Sequence, residues 1–355
     1  MSNTIRVIDL FAGPGGLGEG FSSYRGKRQI HPFEIAVSVE KEPSAHSTLQ
    51  LRAFYRQFNN VPEAYYRYLR GEISRSDLFE RYPRKAAAAS EETLDAPREL
   101  GSAGDDDDLI YGRLRTLKRK HDDPWVVIGG PPCQAYSLVG RARNRGIKGY
   151  EAQKDRRHFL YEEYLKVLKT IRPEVFVMEN VKGILSSKVN GHPIFPQLVD
   201  DLSCPDAALG GRSTRNGRYR LFSLVTGREI GAVTGSGREC VIRSENYGVP
   251  QARHRVILLG IREDIDSMPS ALQTVSKLRT VGELIGEMPR LRSGLSKMQD
   301  SASRWYSTLK SEAQDVRKCL ATLRLEAKIV ANALREARYL SDRGASFVPF
   351  AGPSI

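Results

Sequence analysis

The amino-acid sequence predicts an α/β protein whose core is a mostly parallel, doubly wound sheet with helices on both faces. Short apolar runs bounded by turn residues are typical of buried strands, and the first enters a glycine-rich turn that opens a helix. Chemically useful side chains follow several of these strands, as in open parallel sheets, whose carboxyl ends meet at one edge. With 355 residues, 40% of them hydrophobic, the chain is long enough for this core and an appended element.

The first element is an apolar strand that starts at Arg6 and runs into a glycine-rich turn. Glycine lets the backbone approach a ligand closely, and the helix after the turn presents free N–H groups at its N-terminus. The turn satisfies the dinucleotide-binding pattern G-x-G-x-x-G with Gly13, Gly15 and Gly18. On its own this pattern is a weak signal for a nucleotide site.

The next apolar strand, residues 35–39, ends in the carboxylate of Glu40. An acid at the carboxyl end of the second strand of such a sheet can accept hydrogen bonds from the hydroxyls of a ribose. This position fits a nicotinamide cofactor and S-adenosylmethionine equally well. A solvated residue at a strand end is the alternative interpretation of Glu40.

A buried strand at residues 125–128 leads into a turn in which two prolines precede Cys133. Pro131 and Pro132 fix φ at about −65° and remove two backbone donors, so a stiff loop presents the thiol. A thiol in such a position is a candidate nucleophile. A buried, inert cysteine that closes a strand is the alternative interpretation.

The apolar run at residues 173–178 is also predicted to be a buried strand, and it is followed by Glu179, Asn180 and Val181. Parallel strands of an open sheet expose their carboxyl ends at the same edge. We therefore expect the Glu179 carboxylate to lie at the same edge of the sheet as Cys133.

The strand at residues 256–260 is preceded by a glutamine and two arginines at alternate positions. In a strand, Gln251, Arg253 and Arg255 share one face, so two guanidinium groups would point the same way. A solvated strand face is the alternative interpretation of this set.

These motifs occur in one chain and in a fixed order, and the chain resembles the DNA (cytosine-5) methyltransferases of the bacterial type. The resemblance covers about residues 4–290 and is specific because several motifs match. The matching motifs are the cofactor turn from Asp9 to Gly16, the ribose-binding Glu40, the catalytic loop Pro131-Pro132-Cys133-Gln134, Glu179-Asn180-Val181, Gln251-x-Arg253-x-Arg255, the helix start Asp155-Arg156-Arg157 with Leu160, and the segment Thr280–Gly286.

The resemblance implies the class I S-adenosylmethionine-dependent methyltransferase fold, with S-adenosylmethionine as the cofactor and double-stranded DNA as the partner. It implies catalytic roles for Cys133, Glu179, Arg253 and Arg255. The residues that it implies bind the cofactor are Asp9, Phe11, Ala12, Gly13, Gly15, Gly16, Glu40, Pro132 and Leu160. The residues that it implies bind the substrate are Gln134, Ser137, Asn180, Val181 and Gln251. The resemblance implies no metal.

The chemistry of cytosine methylation explains the implied roles of the four catalytic residues. Carbon C5 is too poor a nucleophile to attack a methyl sulfonium directly, whereas addition of the Cys133 thiolate at C6 makes C5 reactive. Arg253 and Arg255, together with the cationic cofactor, favour the thiolate. Glu179 bonds the N3 and amine edge of the base and passes a proton to N3. The base must leave the duplex for this to happen, and loss of the C5 proton later expels the thiolate.

Composition agrees with a polyanionic partner. The formal net charge is +13 and the pI is about 9.6, although basicity that serves solubility alone is the alternative interpretation. Four widely separated cysteines, with no C-x-x-C pair, predict neither a disulfide framework nor a zinc site. No run approaches about 18 apolar residues and the N-terminus does not resemble a signal peptide, so we expect a cytoplasmic, nucleoid-associated protein without a membrane partner.

Between Glu40 and Trp125 the chain is longer than a βαβ crossover needs, and we expect a helical insert at about residues 52–123. Coverage of the sheet edge is favoured over contact with the DNA backbone. The acidic run Asp105–Asp108 is expected to be a solvated loop rather than a metal site. The family places an acid near the cofactor adenine, and here Glu99 and Asp105–Asp108 are the candidates.

Residues 141–154, after the cysteine turn, combine cations with glycines. This composition predicts a mobile loop that closes over DNA, because phosphate contacts position such loops. A disordered basic loop is the alternative interpretation. In the absence of DNA, both interpretations are compatible.

From Ser311 onward, apolar residues recur in steps of three and four, which predicts a helix. Ser311 with Gln314 forms a capping-box start, and Gly344 is a natural stop. Packing on the chain's own domain is favoured over a coiled coil with another chain. We therefore divide the chain into a catalytic domain at residues 1–290 and a helical extension at 291–355.

The target-recognition domain and closing motif of the family are not recognisable in this extension. A truncated or excised fragment, a degenerate gene product and a split enzyme completed by a second polypeptide are the open interpretations. That polypeptide would carry the groove-reading surface that selects a DNA sequence.

Two other classes of function are consistent with part of the sequence. A nicotinamide-dependent oxidoreductase would use the glycine turn and Glu40 but would leave the other motifs without a role. A non-catalytic nucleic-acid-binding partner is disfavoured because both Cys133 and Glu179 are present. A tRNA cytosine-5 methyltransferase shares the chemistry, but it ranks below a DNA enzyme of a restriction-modification system because the region after Gln134 differs from its pattern.

Overall fold

The computed structural model describes residues 4–26, 31–132, 160–189, 192–231, 237–288, 291–296 and 299–320 of the 355-residue chain. Two compact units can be distinguished. The first consists of Met1–Val61 and Phe79–Val281, and the second of Pro62–Leu78 and Gly282–Ile355. Each unit is described by itself.

Seven strands of the described chain form one sheet, and two short strands form a separate hairpin. The strands are β1 (Ile5–Leu10), β2 (Phe33–Val39), β3 (Trp125–Gly129), β4 (Val175–Val181), β5 (Lys188–Val189), β6 (His192–Pro193), β7 (Tyr219–Ser223), β8 (Val241–Arg243) and β9 (His254–Arg262). The order across the sheet is β2-β1-β3-β4-β9-β7, with β8 also paired to β9.

Strands β2, β1, β3 and β4 are parallel, whereas β9 runs antiparallel to both β4 and β7. The predicted mostly parallel sheet is therefore confirmed. The reversal of β9 matters for the site, because it brings the start of β9 next to the carboxyl end of β4. In the register, Arg255 lies opposite Val181 and Ile257 opposite Glu179.

The helices of the described chain begin and end as follows. They are α1 (Gly16–Ser23), α2 (Pro43–Arg56), α3 (Glu63–Leu69), α4 (Arg75–Arg81), α5 (Pro83–Glu92), α6 (Asp105–Lys120), α7 (Leu160–Ile171), α8 (Ile194–Ser203), α9 (Pro205–Ala208), α10 (Val281–Ile285) and α11 (Ala302–Leu320). Helices α3 to α6 lie within the sequence predicted to form a helical insert, so its helical character is confirmed.

The sheet is covered by helices on both faces. Successive residues of β1, Val7 and Ile8, belong to two separate apolar clusters, because neighbouring side chains of a strand point to opposite faces. Leu17 and Phe21 of α1 pack against the cluster that contains Val7. Helices α6 and α7 supply buried side chains, among them Tyr164, to the cluster that contains Ile8. The doubly wound arrangement predicted from the sequence is thus confirmed.

The acidic run Asp105–Asp108 is the first turn of α6, so the prediction of a solvated loop is wrong. Negative side chains are stabilising there because they face the positive end of the helix dipole. Asp107 also accepts hydrogen bonds from the amides of Gly101 and Ala103, both at 2.7 Å. The last turn of the same helix carries the complementary cations Lys118, Arg119 and Lys120.

In the second unit, α11 begins at Ala302, nine residues before the predicted start at Ser311, so that start is wrong. Ser301 caps the helix instead, because its hydroxyl accepts a hydrogen bond from the amide of Arg304 at 3.2 Å. Residues 321–355, including the predicted stop at Gly344, lie outside the described residues.

No helix within the described ranges has the combined length and apolar character that crossing a bilayer requires.

Candidate active site

The turn between β1 and α1 depends on left-handed backbone conformations. Gly13 and Gly15 have φ of 56° and 87°, and Phe11 adopts 54° without being glycine. A Cβ atom at Gly15 would lie 2.8 Å from a methyl group of Leu49, so α2 closes the space beside the turn. Ala12 donates to the carbonyl of Val39 at 3.0 Å. The turn, which includes Gly16 at the start of α1, is therefore fixed to the end of β2.

Asp9 lies beneath this turn and is only 1% exposed. Its Oδ2 accepts a hydrogen bond from the amide of Gly18 at 3.2 Å. Burial raises the pKa of Asp9 to about 7; the Gly18 hydrogen bond opposes this rise, and the charges of Glu92 and Glu40 add to it. A Cβ atom at Gly18 would lie 2.8 Å from the same carboxylate oxygen, so glycine is required for this approach. The structure therefore places Asp9 as an internal support of the turn.

Glu40 follows β2, and both of its carboxylate oxygens are oriented by backbone amides. Oε2 accepts from Gly13 at 2.8 Å and Oε1 accepts from Glu42 at 2.7 Å. Each carboxylate oxygen has a further lone pair, so the group retains acceptor capacity. A half-buried carboxylate held in this way is suited to accept hydrogen bonds from ligand hydroxyls.

A pocket with about 480 Å³ of empty space, partly open to solvent, lies at this edge of the sheet. Its size is within the range of about 300–1,000 Å³ that small-molecule sites occupy. Four residues predicted to bind a cofactor are in its wall: Phe11, Glu40, Pro132 and Leu160. The wall also contains Val39, Lys41, Arg98, Leu100 and Gly130, which were not predicted.

The end of β4 contacts the turn after β3. The side-chain amide of Asn180 donates to the carbonyl of Pro131 at 3.3 Å, and its oxygen accepts from the amide of Val181 at 2.8 Å. A Cβ atom at Gly130 would lie 2.9 Å from Oε2 of Glu179, so the carboxylate lies close over this glycine. Glu179 and Asn180 therefore lie at the base of the turn that leads into the predicted nucleophile.

Cys133, Gln134 and Ser137, and the basic loop at residues 141–154, lie outside the described residues. Pro131 and Pro132, which immediately precede Cys133, are described. Pro132 lies in the pocket wall, and the carbonyl of Pro131 accepts the hydrogen bond from Asn180.

Glu179 is paired with an arginine from the neighbouring strand. Nε of Arg255 lies 2.7 Å from Oε1 of Glu179, and both side chains are 24% exposed. Arg255 also donates from Nη1 to the carbonyl of His254 at 2.8 Å. Because the pair is partly shielded from water, the guanidinium holds the carboxylate in place more firmly than an exposed ion pair would.

The predicted common strand face of Gln251, Arg253 and Arg255 is wrong. Strand β9 begins only at His254, and the two upstream residues are exposed. Hydrogen bonds of 2.8 Å from Gln251 to Val249 and from Arg253 to Gln251 tighten the chain before the strand. The amide and hydroxyl of Ser244 hold the carbonyl of Arg253 at 3.2 and 2.7 Å. This looped conformation separates Gln251 and Arg253 from the face that carries Arg255.

A partly buried ion cluster supports the helix that follows the glycine turn. Arg56 at the end of α2 pairs with Glu19 of α1 at 2.9 Å and with Glu92 of α5 at 2.6 Å. Ser38 of β2 donates to Glu92 at 3.5 Å. Burial raises the pKa of Glu92 to about 7, although Arg56 opposes the rise. The cluster thus joins α1 to α5 through one shared arginine.

We expect Glu92→Gln to gain stability relative to the wild type as pH rises. Because the pKa of Glu92 is about 7 in the folded chain and 4.5 ordinarily, the folded state binds more protons between these values. Wild-type stability therefore falls across this interval, and a neutral glutamine avoids the loss, which amounts to at most about 3 kcal/mol. Thermal unfolding of both proteins at about pH 5 and about pH 8 measures the difference. A difference in melting temperature that does not change with pH would contradict the prediction.

The fold and the site define an α/β protein with a pocket at the carboxyl edge of its sheet, beside Glu40 and the turn that leads to Cys133. The family model for C-5 cytosine-specific DNA methylases matches residues 103–203 and 238–343, which together are more than half of the chain. The chain belongs to this family, and the resemblance drawn from its motifs is confirmed.

Curated relatives agree with this assignment. The Type II methyltransferase M.Bpa9945I of Bacillus paralicheniformis is 33% identical over 278 residues, which are 73% of this chain and 54% of that protein. M.DdeI of Desulfomicrobium norvegicum is 26% identical over 295 residues, 82% of this chain and 50% of that protein. M.AquIA of Picosynechococcus sp. is 26% identical over 258 residues, 72% of each chain. The chain thus spans about half the length of the first two relatives.

Among solved structures, a putative DNA modification methyltransferase encoded within an E. coli prophage matches with a TM-score of 0.42 and 20% identity. The match covers 84% of this chain and 57% of that chain. The structural similarity is low, and the fold assignment depends on the strand order and the helices described above.

Proposed function

We propose that the chain transfers a methyl group from S-adenosylmethionine to C5 of cytosine in double-stranded DNA, as the modification enzyme of a restriction-modification system. The observation that supports this most is the arrangement at one sheet edge. The pocket beside Glu40 adjoins the turn that leads to Cys133, and Glu179 and Asn180 contact the same turn. Residues 1–290 are the proposed catalytic domain, and residues 291–355 its extension.

The pocket fits the nucleoside part of S-adenosylmethionine. Glu40 offers oriented acceptors for ribose hydroxyls, and Phe11, Leu160 and Pro132 offer apolar surface on which a base can pack. The glycine turn lets the protein backbone approach the cofactor closely. When bound, S-adenosylmethionine supplies the electrophilic methyl group.

The roles of the protein groups follow from their contacts. Asn180 holds the carbonyl of Pro131 two residues before Cys133, so it fixes the base of the nucleophile loop. The Cys133 thiolate adds to C6 of the target base, and the resulting negative charge on the ring is met by proton transfer to N3 from Glu179. Arg255 orients the Glu179 carboxylate. After methylation, the C5 proton passes to water and the N3 proton returns to Glu179, so the C6–S bond breaks and the thiolate leaves.

The proposed DNA contacts are electrostatic in origin. A net charge of +13 attracts the phosphate backbone, and affinity should fall as salt concentration rises. Arg253 and Gln251 are exposed in the looped segment that precedes Arg255, and their proposed role is to support a base that has left the duplex. Gln134, Ser137 and Val181 are the further proposed substrate contacts. The enzyme would act in the cytoplasm, on DNA of the nucleoid, and a second polypeptide is a proposed source of sequence recognition.

Analysis of the methylated nucleoside tests this proposal. The chain is incubated with radiolabelled S-adenosylmethionine and, in parallel, with mixed-sequence duplex DNA or transfer RNA, and the nucleic acid is then digested and separated. The expected product is 5-methyl-2′-deoxycytidine from DNA, with none from the RNA. Label in an exocyclic amine, or in transfer RNA alone, would contradict the proposed reaction or its substrate.

A further inference from the structure

The guanidinium of Arg56, the last residue of α2, binds carboxylates from two other helices. Nη1 lies 2.9 Å from Oε2 of Glu19 in α1, and Nη2 lies 2.6 Å from Oε1 of Glu92 in α5. The side chains of Arg56 and Glu92 are 14% and 8% exposed, so this pair is largely shielded from water. Arginine suits such a position because its rigid fork of donors can hold two acceptors in a fixed geometry. One side chain therefore fixes α1 and α5 relative to the end of α2.

Glu19 connects Arg56 to the glycine turn. It lies in the first turn of α1, and its amide donates to the carbonyl of Gly15 at 3.0 Å. Helix α2 also packs against the turn, because a Cβ atom at Gly15 would lie 2.8 Å from Leu49 and 3.8 Å from Arg52. A turn built on glycine has many accessible conformations, so contacts from outside the turn must select the one that binds a ligand. The pair of Arg56 with Glu19 is such a contact.

Glu92 connects Arg56 to another part of the pocket wall. It is the last residue of α5, and Leu94 and Asp95 follow it with left-handed φ of 60° and 61°. Non-glycine residues keep this conformation only where the surrounding structure fixes it. The chain then reaches Leu100, which lies in the wall of the pocket. The same guanidinium thus holds the helix that precedes this wall segment.

The ion cluster acts on a ligand only through these two connections. Glu19, Arg56 and Glu92 are not among the described residues of the pocket wall. The proposed acid Glu179 is held instead by Arg255 and lies over the turn after β3. A change in the cluster should therefore affect how the pocket is shaped and leave the orientation of Glu179 as it is.

We propose that Arg56 is a positioning residue that sets the affinity of the pocket for S-adenosylmethionine by holding the glycine turn and the wall segment in their ligand-binding arrangement. This inference depends on the proposed S-adenosylmethionine site. Without the guanidinium the turn populates further conformations, and the observed affinity falls in proportion to the fraction of molecules that remain competent to bind. A saturating concentration of the cofactor restores the competent arrangement, so the rate of the loaded enzyme is retained.

Calorimetry with S-adenosylhomocysteine and steady-state kinetics with S-adenosylmethionine test this inference on the full chain. Arg56→Met should bind S-adenosylhomocysteine about tenfold more weakly, which corresponds to a competent fraction of about one tenth. The KM for S-adenosylmethionine should rise by a similar factor, while kcat at saturating cofactor stays within about twofold of the wild type.

Glu19→Gln is the milder variant, because the Glu19 side chain is 37% exposed and glutamine keeps one acceptor for the guanidinium. It should weaken S-adenosylhomocysteine binding by about threefold. Added to Arg56→Met, it should cause no further loss, because the partner that it addresses is already absent.

Arg6→Met is the matched control. Arg6 also binds two carboxylates, Glu34 at 3.0 Å and Asp123 at 2.9 Å, and its side chain is 13% exposed. It lies near the start of β1, whereas the glycine turn follows the end of that strand. This variant should lower the melting temperature as Arg56→Met does, but it should keep the wild-type affinity for S-adenosylhomocysteine.

Equal affinities of folded Arg56→Met and Arg6→Met would overturn the positioning role, as would a kcat that falls as far as the affinity. If Arg56→Met does not fold, wild-type affinity in Glu19→Gln overturns the role equally. Absence of any S-adenosylhomocysteine binding in the folded wild type would instead overturn the proposed cofactor site.

Discussion

Replacing Cys133 with alanine is expected to reduce formation of 5-methylcytosine by a factor on the order of 10⁴ or more, because the covalent route is lost. Without addition at C6, C5 of cytosine lacks the electron density to attack the methyl group. Binding of S-adenosylhomocysteine should be unchanged within about twofold, since the proposed cofactor contacts are Phe11, Glu40, Pro132 and Leu160 and not the thiol. Product analysis after digestion and calorimetry on the same preparation measure both quantities.

Cys204→Ala is the matched control for this variant. Cys204 is half-buried and its thiol donates to the hydroxyl of Ser213 at 3.1 Å, remote in sequence from the turn that carries the nucleophile. Its loss should leave the rate of methylation essentially unchanged. Substantial activity in Cys133→Ala would show that Cys133 is not the nucleophile.

Glu179→Gln is expected to lower kcat by about 10²- to 10⁴-fold, the range typical of removing a general acid. Glutamine keeps the size and one acceptor of the carboxylate, so the packing over Gly130 is retained. It cannot pass a proton to N3 of the base, and it leaves Arg255 without its 2.7 Å counter-charge. Steady-state kinetics should show the loss in kcat, with the KM for S-adenosylmethionine little changed.

The comparison with Glu174→Gln separates catalysis from stability. Glu174 precedes the same strand, pairs with Arg262 at 3.0 Å and accepts from the amide of Trp125 at 2.7 Å, at the opposite end of the sheet. This variant should lower the melting temperature without lowering kcat of the folded enzyme. Similar kcat values for Glu179→Gln and the wild type would remove Glu179 from the mechanism.

The strands and the glycine turn were predictable because their signals are local. An apolar run followed by glycine determines both the buried strand and the left-handed turn, so Gly13 and Gly15 could be placed directly from the sequence. Glu40 was placed at the sheet edge by the same reasoning, and its carboxylate is found at the pocket.

Arg98, Leu100 and Lys41 were missed as pocket residues because tertiary contacts decide their positions. The segment of Arg98 reaches the pocket through its bond to Glu40 and through the N-terminus of α6. A sequence signal was present, since Asp106 lies in the first turn of α6, where the helix dipole favours an acid that can also hold an arginine. Sequence spacing alone could not show which side chain faces the cavity.

The errors before β9 and in α11 have one physical cause, a local pattern overridden by hydrogen bonds. Alternation over Gln251 to Arg255 suggested a strand, but Ser244 binds the carbonyl of Arg253 and keeps the chain looped. A capping-box pattern at Ser311 suggested a helix start, but the same residues continue a helix already capped by Ser301.

Trapping with 5-fluorocytosine tests the central claim most directly. The chain is incubated with S-adenosylmethionine and duplex DNA containing 5-fluorocytosine, then denatured, and the linked peptide is identified by mass spectrometry. Fluorine cannot leave as a proton does, so the proposed mechanism predicts a stable complex through Cys133 that requires S-adenosylmethionine and is absent in Cys133→Ala. Methylation of ordinary cytosine without such a complex, or attachment through another residue, would contradict the covalent mechanism.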